Sequence, residues 1–234
     1  MRTCLFSGKE EMNRFLFSGF LEDVNTVLQN DSYMNLGIAT GNTYSCFFQT
    51  LSRNQDIPLD RINLFMVDEY TEIDPIDKKS CAYDLIKEVT CIDSFRHFYT
   101  FTQANYFEQI NEYNAMLNEH PFDLLLLGIG NNGHYGFCQK NEKKKTKDTY
   151  AIINFTEEER RQQVDLGWFD DIAEVPSSGI SITEYGVWRS KKVIFAAYYD
   201  QKKKIIDQIL QNRVSPQMAI YPLLSKPECQ LLYG

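Results

Sequence analysis

Positive charge is scarce in this sequence: 24 lysines and arginines stand against 32 acidic residues, a net charge of −8. That balance argues against DNA, RNA or an anionic membrane as a main partner, since each calls for basic patches. A small anion is not excluded, because one loop and one lysine can be locally electropositive in an acidic protein. The six cysteines (Cys4, Cys46, Cys81, Cys91, Cys138 and Cys229) contain no CxxC pair and no zinc-finger spacing. Neither a disulfide framework nor a zinc site is indicated, and a reducing, cytoplasmic setting is expected. No apolar run approaches the ~18 residues needed to cross a bilayer. The N-terminal MRTCLFSGKEEM also lacks the apolar region of a signal peptide. No proline-rich linker, low-complexity block or internal repeat divides the 234 residues, so one domain is the simplest account.

What is present is alternation. Short apolar runs at residues 2–6, 34–39, 62–67, 122–127, 151–155, 180–183, 193–199 and 230–233 read as strands. Segments with helical spacing lie between them at 9–29, 44–53, 80–89, 104–120, 156–169 and 201–210. This order predicts an α/β fold: a single Rossmann-like domain with a mainly parallel sheet flanked by helices. The polar run KNEKKKTKDT after Gln139 reads as a solvated, mobile excursion.

The chain is organised around FDLLLLGIGNNGHYGFCQ, residues 122–139. Its continuous apolar start suits a strand buried on both faces. Gly128, Gly130 and Gly133 then let the backbone turn sharply and approach a ligand. Ligands of open α/β sheets sit beyond the carboxyl ends of the strands, where His134 would be placed for proton transfer near neutral pH. The bland alternative is a surface turn whose histidine caps a helix.

Three further places carry chemistry. Thr40, Gly41, Asn42 and Thr43 follow a strand and precede a helix, the arrangement of an anion site at a helix N-terminus; a plain helix cap is the alternative. Asp68 and Glu69 end another strand, where partial burial can hold a carboxylate near a useful pKa for general base work. A cap or solvated loop is the competing reading. Lys202 opens a helix after a strand and could face an anion or simply be solvated.

Taken together, these loops resemble the glucosamine-6-phosphate deaminase/isomerase family, which shares its fold with 6-phosphogluconolactonases. GIATGNT resembles the family's phosphate loop, FMVDEY with DKKSCAYDLI its DEY segment and following helix, and DLLLLGIGNNGHYGF its GxGxxGHxxF signature. EERRQQVDLGWF with EVPSSGISIT resembles the stretch before its closing strands, so the likeness spans most of the chain. Tyr70 and the His134-Tyr135-Gly136-Phe137 context match deaminases better than lactonases, which usually carry a basic residue in place of Tyr70.

The resemblance implies conversion of an amino sugar phosphate to a ketohexose phosphate plus ammonia, with glucosamine or galactosamine 6-phosphate as substrate. It implies Asp68 as the base between C2 and C1, with Glu69 beside it, and His134 as the ring-opening group. Asn132 and Gln139 would neighbour that histidine. Thr40, Gly41, Asn42, Thr43 and Lys202 would hold the phosphate. No metal or organic cofactor is called for, and no metal-ligand cluster is evident. The partner is a small sugar phosphate. A homo-oligomer is left open, since the family contains monomers and larger assemblies and nothing in the sequence identifies an interface.

Two positions break the pattern. Gln139 stands where the family carries an acid that orients the histidine, and Gly167 where it carries a phosphate-binding arginine. An amide can bond the ring but cannot stabilise an imidazolium by charge; the same change in a serine protease triad lowers turnover ~10⁴-fold. Arg160 or Arg161 could replace the arginine if their helix delivers one of them. Two alternatives therefore accompany the deaminase reading: a catalytically reduced sugar-phosphate-binding regulator, and a lactonase-like hydrolase.

Overall fold

The computed structural model describes residues 1–140 and 146–234, so the 141–145 part of the polar run lies outside the described residues. In chain order, the first elements are β1 (Arg2–Leu5), α1 (Lys9–Asn30), β2 (Met34–Ile38), α2 (Ser45–Arg53), β3 (Ile62–Met66), β4 (Asp68–Tyr70) and α3 (Cys81–Glu88). Then come β5 (His97–Tyr99), α4 (Tyr106–Glu119), β6 (Leu124–Gly128), β7 (Tyr150–Asn154) and α5 (Glu157–Asp165). The last are β8 (Ser178–Ile182), α6 (Glu184–Arg189), β9 (Val193–Ala197), α7 (Tyr199–Leu210) and β10 (Cys229–Tyr233).

Seven strands form one parallel sheet in the order β1-β10-β9-β6-β2-β3-β5. Strand β6 sits at its centre, and its unbroken leucine run has a direct cause. Leu124 and Leu126 enter the core packed under α1, α2 and α3, while Leu125 and Leu127 enter the core on the opposite face. A strand buried on both sides has no use for polar alternation. The first core takes Met12, Leu16, Phe17, Phe20 and Val24 from one stripe of α1. The second takes Ile110, Tyr113 and Leu117 from α4 and Ile205, Ile206 and Ile209 from α7. Burying one such side chain contributes about 1.5–3 kcal/mol.

One expectation needs refining. The segments at 151–155 and 180–183 are strands, but they do not join the parallel sheet. β7 and β8 pair antiparallel with each other and with β4 in a separate three-stranded sheet, order β4-β8-β7. The junction is Val67, whose N–H donates to the Ile38 carbonyl (3.3 Å) in the large sheet and whose carbonyl accepts from Ile182 N–H (2.8 Å) in the small one. Asp68 is therefore the first residue past the point where the chain leaves one sheet for the other.

Candidate active site

Because β9, β6, β2 and β3 are neighbours, the loops after their carboxyl ends lie side by side. Those loops carry Lys202, His134, Thr40–Thr43 and Asp68, an arrangement that suits ligand binding beyond strand ends. A chain of contacts ties them together. Thr40, Glu69 and Asp68 all lie close enough to the Cys81 thiol to act on its proton. On Asp68's other side a Cβ added to Gly136 would sit 3.4 Å from Asp68 Oδ2. Gly136 is two residues past His134, and the charge of Lys202 reaches the His134 ring.

Asp68 and Glu69 are adjacent, buried and different. Asp68 is 9% exposed, and burial followed by the neighbouring Glu69 charge pushes its pKa up to about 7. A carboxylate so placed can both take and return a proton near neutral pH. Glu69 points the other way along β4, into the N-terminus of α3. Its Oε1 accepts from Tyr70 N–H (2.8 Å) and Cys81 N–H (3.1 Å). Its Oε2 accepts from Ser80 Oγ–H (2.6 Å) and Ala82 N–H (2.9 Å). This is the anchoring of a helix start by a buried anion. Glu69 was a second candidate for proton transfer; in the fold its acceptor directions are taken up by these four bonds.

The glycine loop after β2 is not a helix cap. α2 begins at Ser45 with no side-chain cap, and among the described residues the Asn42 and Thr43 side chains carry no hydrogen bond. Gly41 adopts φ 103°, a conformation that favours glycine. Tyr198 fixes the loop from below, its hydroxyl donating to the Thr43 carbonyl at 3.1 Å. Tyr44, wholly buried, spans the ends of β6 and β9 through the carbonyls of Leu127 (2.8 Å) and Ile194 (3.1 Å). Lys202 lies in the first turn of α7, where the backbone departs from helical geometry (φ −121°, ψ 17°). It is half-buried, burial lowers its pKa, and among the described residues no carboxylate pairs with it.

His134 sits in a tight turn closed by Gly130 N–H to the His134 carbonyl (2.9 Å) and by Gly133 N–H to the Gly130 carbonyl (2.9 Å). A Cβ at Gly130 would fall 2.1 Å from the imidazole, so only glycine leaves room for the ring. The ring Nδ1 lies 2.5 Å from Asn132 Oδ1, and Asn132 Nδ2 donates to Gln139 Oε1 at 2.7 Å. An amide at Gln139 could bond the imidazole itself. Asn132 holds that place instead, and Gln139 acts one step further out. Burial first, then Lys202, pushes the His134 pKa down to about 4.

The family's arginine has no stand-in from α5. Arg160 is spent on the carbonyls of Ile172 (2.7 Å) and Val175 (2.9 Å), and Arg161 pairs with Glu157 at 2.5 Å on the surface. Gly167 adopts φ 78°, with Gly167 N–H to Val164 O (2.9 Å) and Trp168 N–H to Gln163 O (3.0 Å). That is a glycine helix stop, and its left-handed backbone disfavours arginine at this place. The next residue, Trp168, lines a cavity of about 210 Å³ with Thr40, Gly41 and Asn42. A larger groove of about 1290 Å³ runs beside Tyr135, Gln139 and β7. Neither cavity is lined by Asp68 or His134; Asp68 lies against Gly136 and the His134 ring against Gly130.

The family profile described as glucosamine-6-phosphate isomerases/6-phosphogluconolactonase matches residues 7–226. The chain belongs to this family. Glucosamine-6-phosphate deaminase of Lysinibacillus sphaericus is 26% identical over 207 residues, covering 88% of this chain and 91% of that protein. The enzyme of the same name from Streptococcus sanguinis is 28% identical over 200 residues, covering 84% of this chain and 83% of that one. A monomeric glucosamine-6-phosphate deaminase superposes with a TM-score of 0.79 at 19% identity over 100% of this chain and 97% of that one. A 6-phosphogluconolactonase of Thermotoga maritima gives 0.75 at 14% identity over 99% and 98%. Both structures share the family fold, and at these identities the likeness extends to the fold alone. Among the described residues no helix is long and apolar enough to cross a membrane, and no group of three or more metal-ligating side chains is gathered.

Proposed function

We propose that the protein is an amino-sugar-phosphate deaminase/isomerase, acting on glucosamine 6-phosphate or galactosamine 6-phosphate. The phosphate rests on the backbone and hydroxyls of Thr40, Gly41, Asn42 and Thr43, with Lys202 supplying charge. Binding that non-reacting end orients the sugar over Asp68. Asp68 takes the C2 proton of the open-chain 2-amino aldose and returns it to C1, giving the C2 imine of the ketose, which water hydrolyses to the ketose phosphate and ammonia. His134 serves the ring-oxygen end from the tip of β6, two strands away.

The observation that carries this reading is the separation of the two carboxylates. Among the described residues Asp68 is buried with no hydrogen-bond partner and its pKa is raised to about 7, while Glu69 is saturated. An uncompensated buried carboxylate is destabilising, and a proton-transfer role accounts for its presence. The relatives named as deaminases support the substrate class.

The test is ammonia and ketose phosphate release from each amino sugar 6-phosphate, with lactone hydrolysis measured in parallel. Turnover lost in Asp68→Asn with binding retained supports the reading. Lactone hydrolysis alone overturns it, and tight binding without turnover selects the regulator.

A further inference from the structure

The hydrogen bonds around His134 determine its proton. Asn132 Oδ1 also faces the backbone N–H of His134 at 3.3 Å. A backbone N–H can only donate, so the Asn132 atom there is the oxygen, and the amide orientation follows without ambiguity. The same oxygen then requires a donor from the ring, which places the proton on Nδ1. The opposite nitrogen, Nε2, is left with its lone pair. Asn132 is itself held by Gln139, so two neutral amides fix both the ring's direction and its tautomer. Among the described residues no carboxylate bonds the ring, and the nearby charged group is the cationic Lys202.

Opening a pyranose breaks C1–O5 as the O1–H electrons form the C1=O1 carbonyl; one proton leaves O1 and one arrives at O5. A histidine performing this must pass through the imidazolium. Here that cation is partly buried, without an acid bonded to it among the described residues, and placed beside a lysine. A bound phosphate would offset the lysine but not the burial.

The unprotonated Nε2 also discriminates between forms of the substrate. A closed ring presents O5 as a bare ether oxygen, lone pair against lone pair. The open chain presents O5–H, a donor that matches it. Resting on the deaminase/isomerase reading above, we propose that this site takes its sugar phosphate in the open-chain form, with Asn132 and Gln139 positioning His134 as the acceptor for the O5 hydroxyl. The chain then captures what opens in solution and leaves ring opening uncatalysed.

Ring opening can be isolated from isomerisation in the Asp68→Asn protein, which still binds but cannot move the C1–C2 proton. Exchange between the anomers of glucosamine 6-phosphate is followed by NMR, with calorimetry on the same sample confirming that the sugar is bound. Asp68→Asn should leave anomer exchange within about twofold of buffer. Adding Asn132→Asp and Gln139→Glu should accelerate it at least about tenfold, the scale of restored acid–base catalysis. Imidazole nitrogen shifts should report neutral, Nδ1-protonated His134 in the parent and a raised pKa in the acidic variant. Acceleration by Asp68→Asn alone that disappears on adding His134→Gln overturns the proposal, as does an acidic variant that gains nothing. If instead wild-type protein incorporates no solvent deuterium at C1 or C2, it is the function that fails, and the anomer measurement shows so separately.

Discussion

Replacing Asp68 by asparagine should stabilise the protein while abolishing turnover, and the size of the effect follows from its burial. The ordinary carboxyl value of 3.8 becomes about 7 in the fold, so the folded state holds the proton more tightly than the unfolded chain. Stability from this group is complete below about pH 4 and is lost as the pH rises to about 7. Across that gap the loss is about 4 kcal/mol. Asparagine carries no charge to desolvate, but its amide still occupies a buried polar place, which costs about 1–3 kcal/mol. The net gain above pH 7 is therefore about 1–3 kcal/mol. For a chain of this size each kcal/mol moves Tm by about 2–4 °C. Thermal melts of the two proteins between pH 4 and pH 8.5 read it directly: Asp68→Asn melts a few degrees below wild type at the acid end, where only the amide cost acts, and several degrees above it at the alkaline end. Asp68→Asn melting below wild type at pH 8, or a difference independent of pH, refutes the claim that this carboxylate is held uphill. The same proton gives wild-type kcat/KM an acid limb that climbs as the pH rises through about 7.

The neighbouring substitution should behave in the opposite way. Glu69→Gln turns one acceptor oxygen into an NH2 facing two of the four donors now bonded to the carboxylate. At about 1–3 kcal/mol per stranded donor, Tm should drop by about 10 °C; an unchanged melt with lost turnover would return Glu69 to the chemistry. Gly130→Ala must move the imidazole, which lies 2.1 Å from the added carbon. Turnover should fall about 10²-fold, as misplacement by an ångström can cost, with little change in Tm. Lys202→Met should raise KM for the sugar phosphate about ten- to hundredfold, the worth of one charge-assisted bond; an unaltered KM would place the phosphate elsewhere.

The parallel sheet was legible because burial on both faces writes unbroken apolar runs, as at Leu124–Leu127 and Val193–Ala197. The small sheet was not distinguished for the same reason: the runs at 151–155 and 180–183 look alike whichever sheet receives them, and partner choice is a long-range property. β4 was invisible, since Asp68-Glu69-Tyr70 has no strand pattern and becomes one only by pairing with Gly179–Ser181. β5 (His97–Tyr99) was missed as well, a three-residue strand at the sheet edge. For the site, glycine spacing and histidine type pointed to the right loops. Which amide touches the ring did not follow, because Asn132 and Gln139 are seven residues apart and meet only through the turn.

Two carboxylates side by side on a chain repel, and the fold uses the strand's alternation to send them into unlike surroundings. Glu69 receives two main-chain N–H groups at the α3 start, the Tyr70 N–H and the Ser80 hydroxyl, which together keep a buried anion tolerable. Its charge then acts on Asp68, adding to burial in lifting that proton's affinity toward neutral pH. Neutralising Glu69 would therefore lower the Asp68 pKa as well as loosen α3. The acid limb of the rate profile in a Glu69→Gln protein that still folds should move to lower pH. A helix start and a base are thus one electrostatic unit, whereas His134, two strands away and oriented by amides, has been left without such a partner.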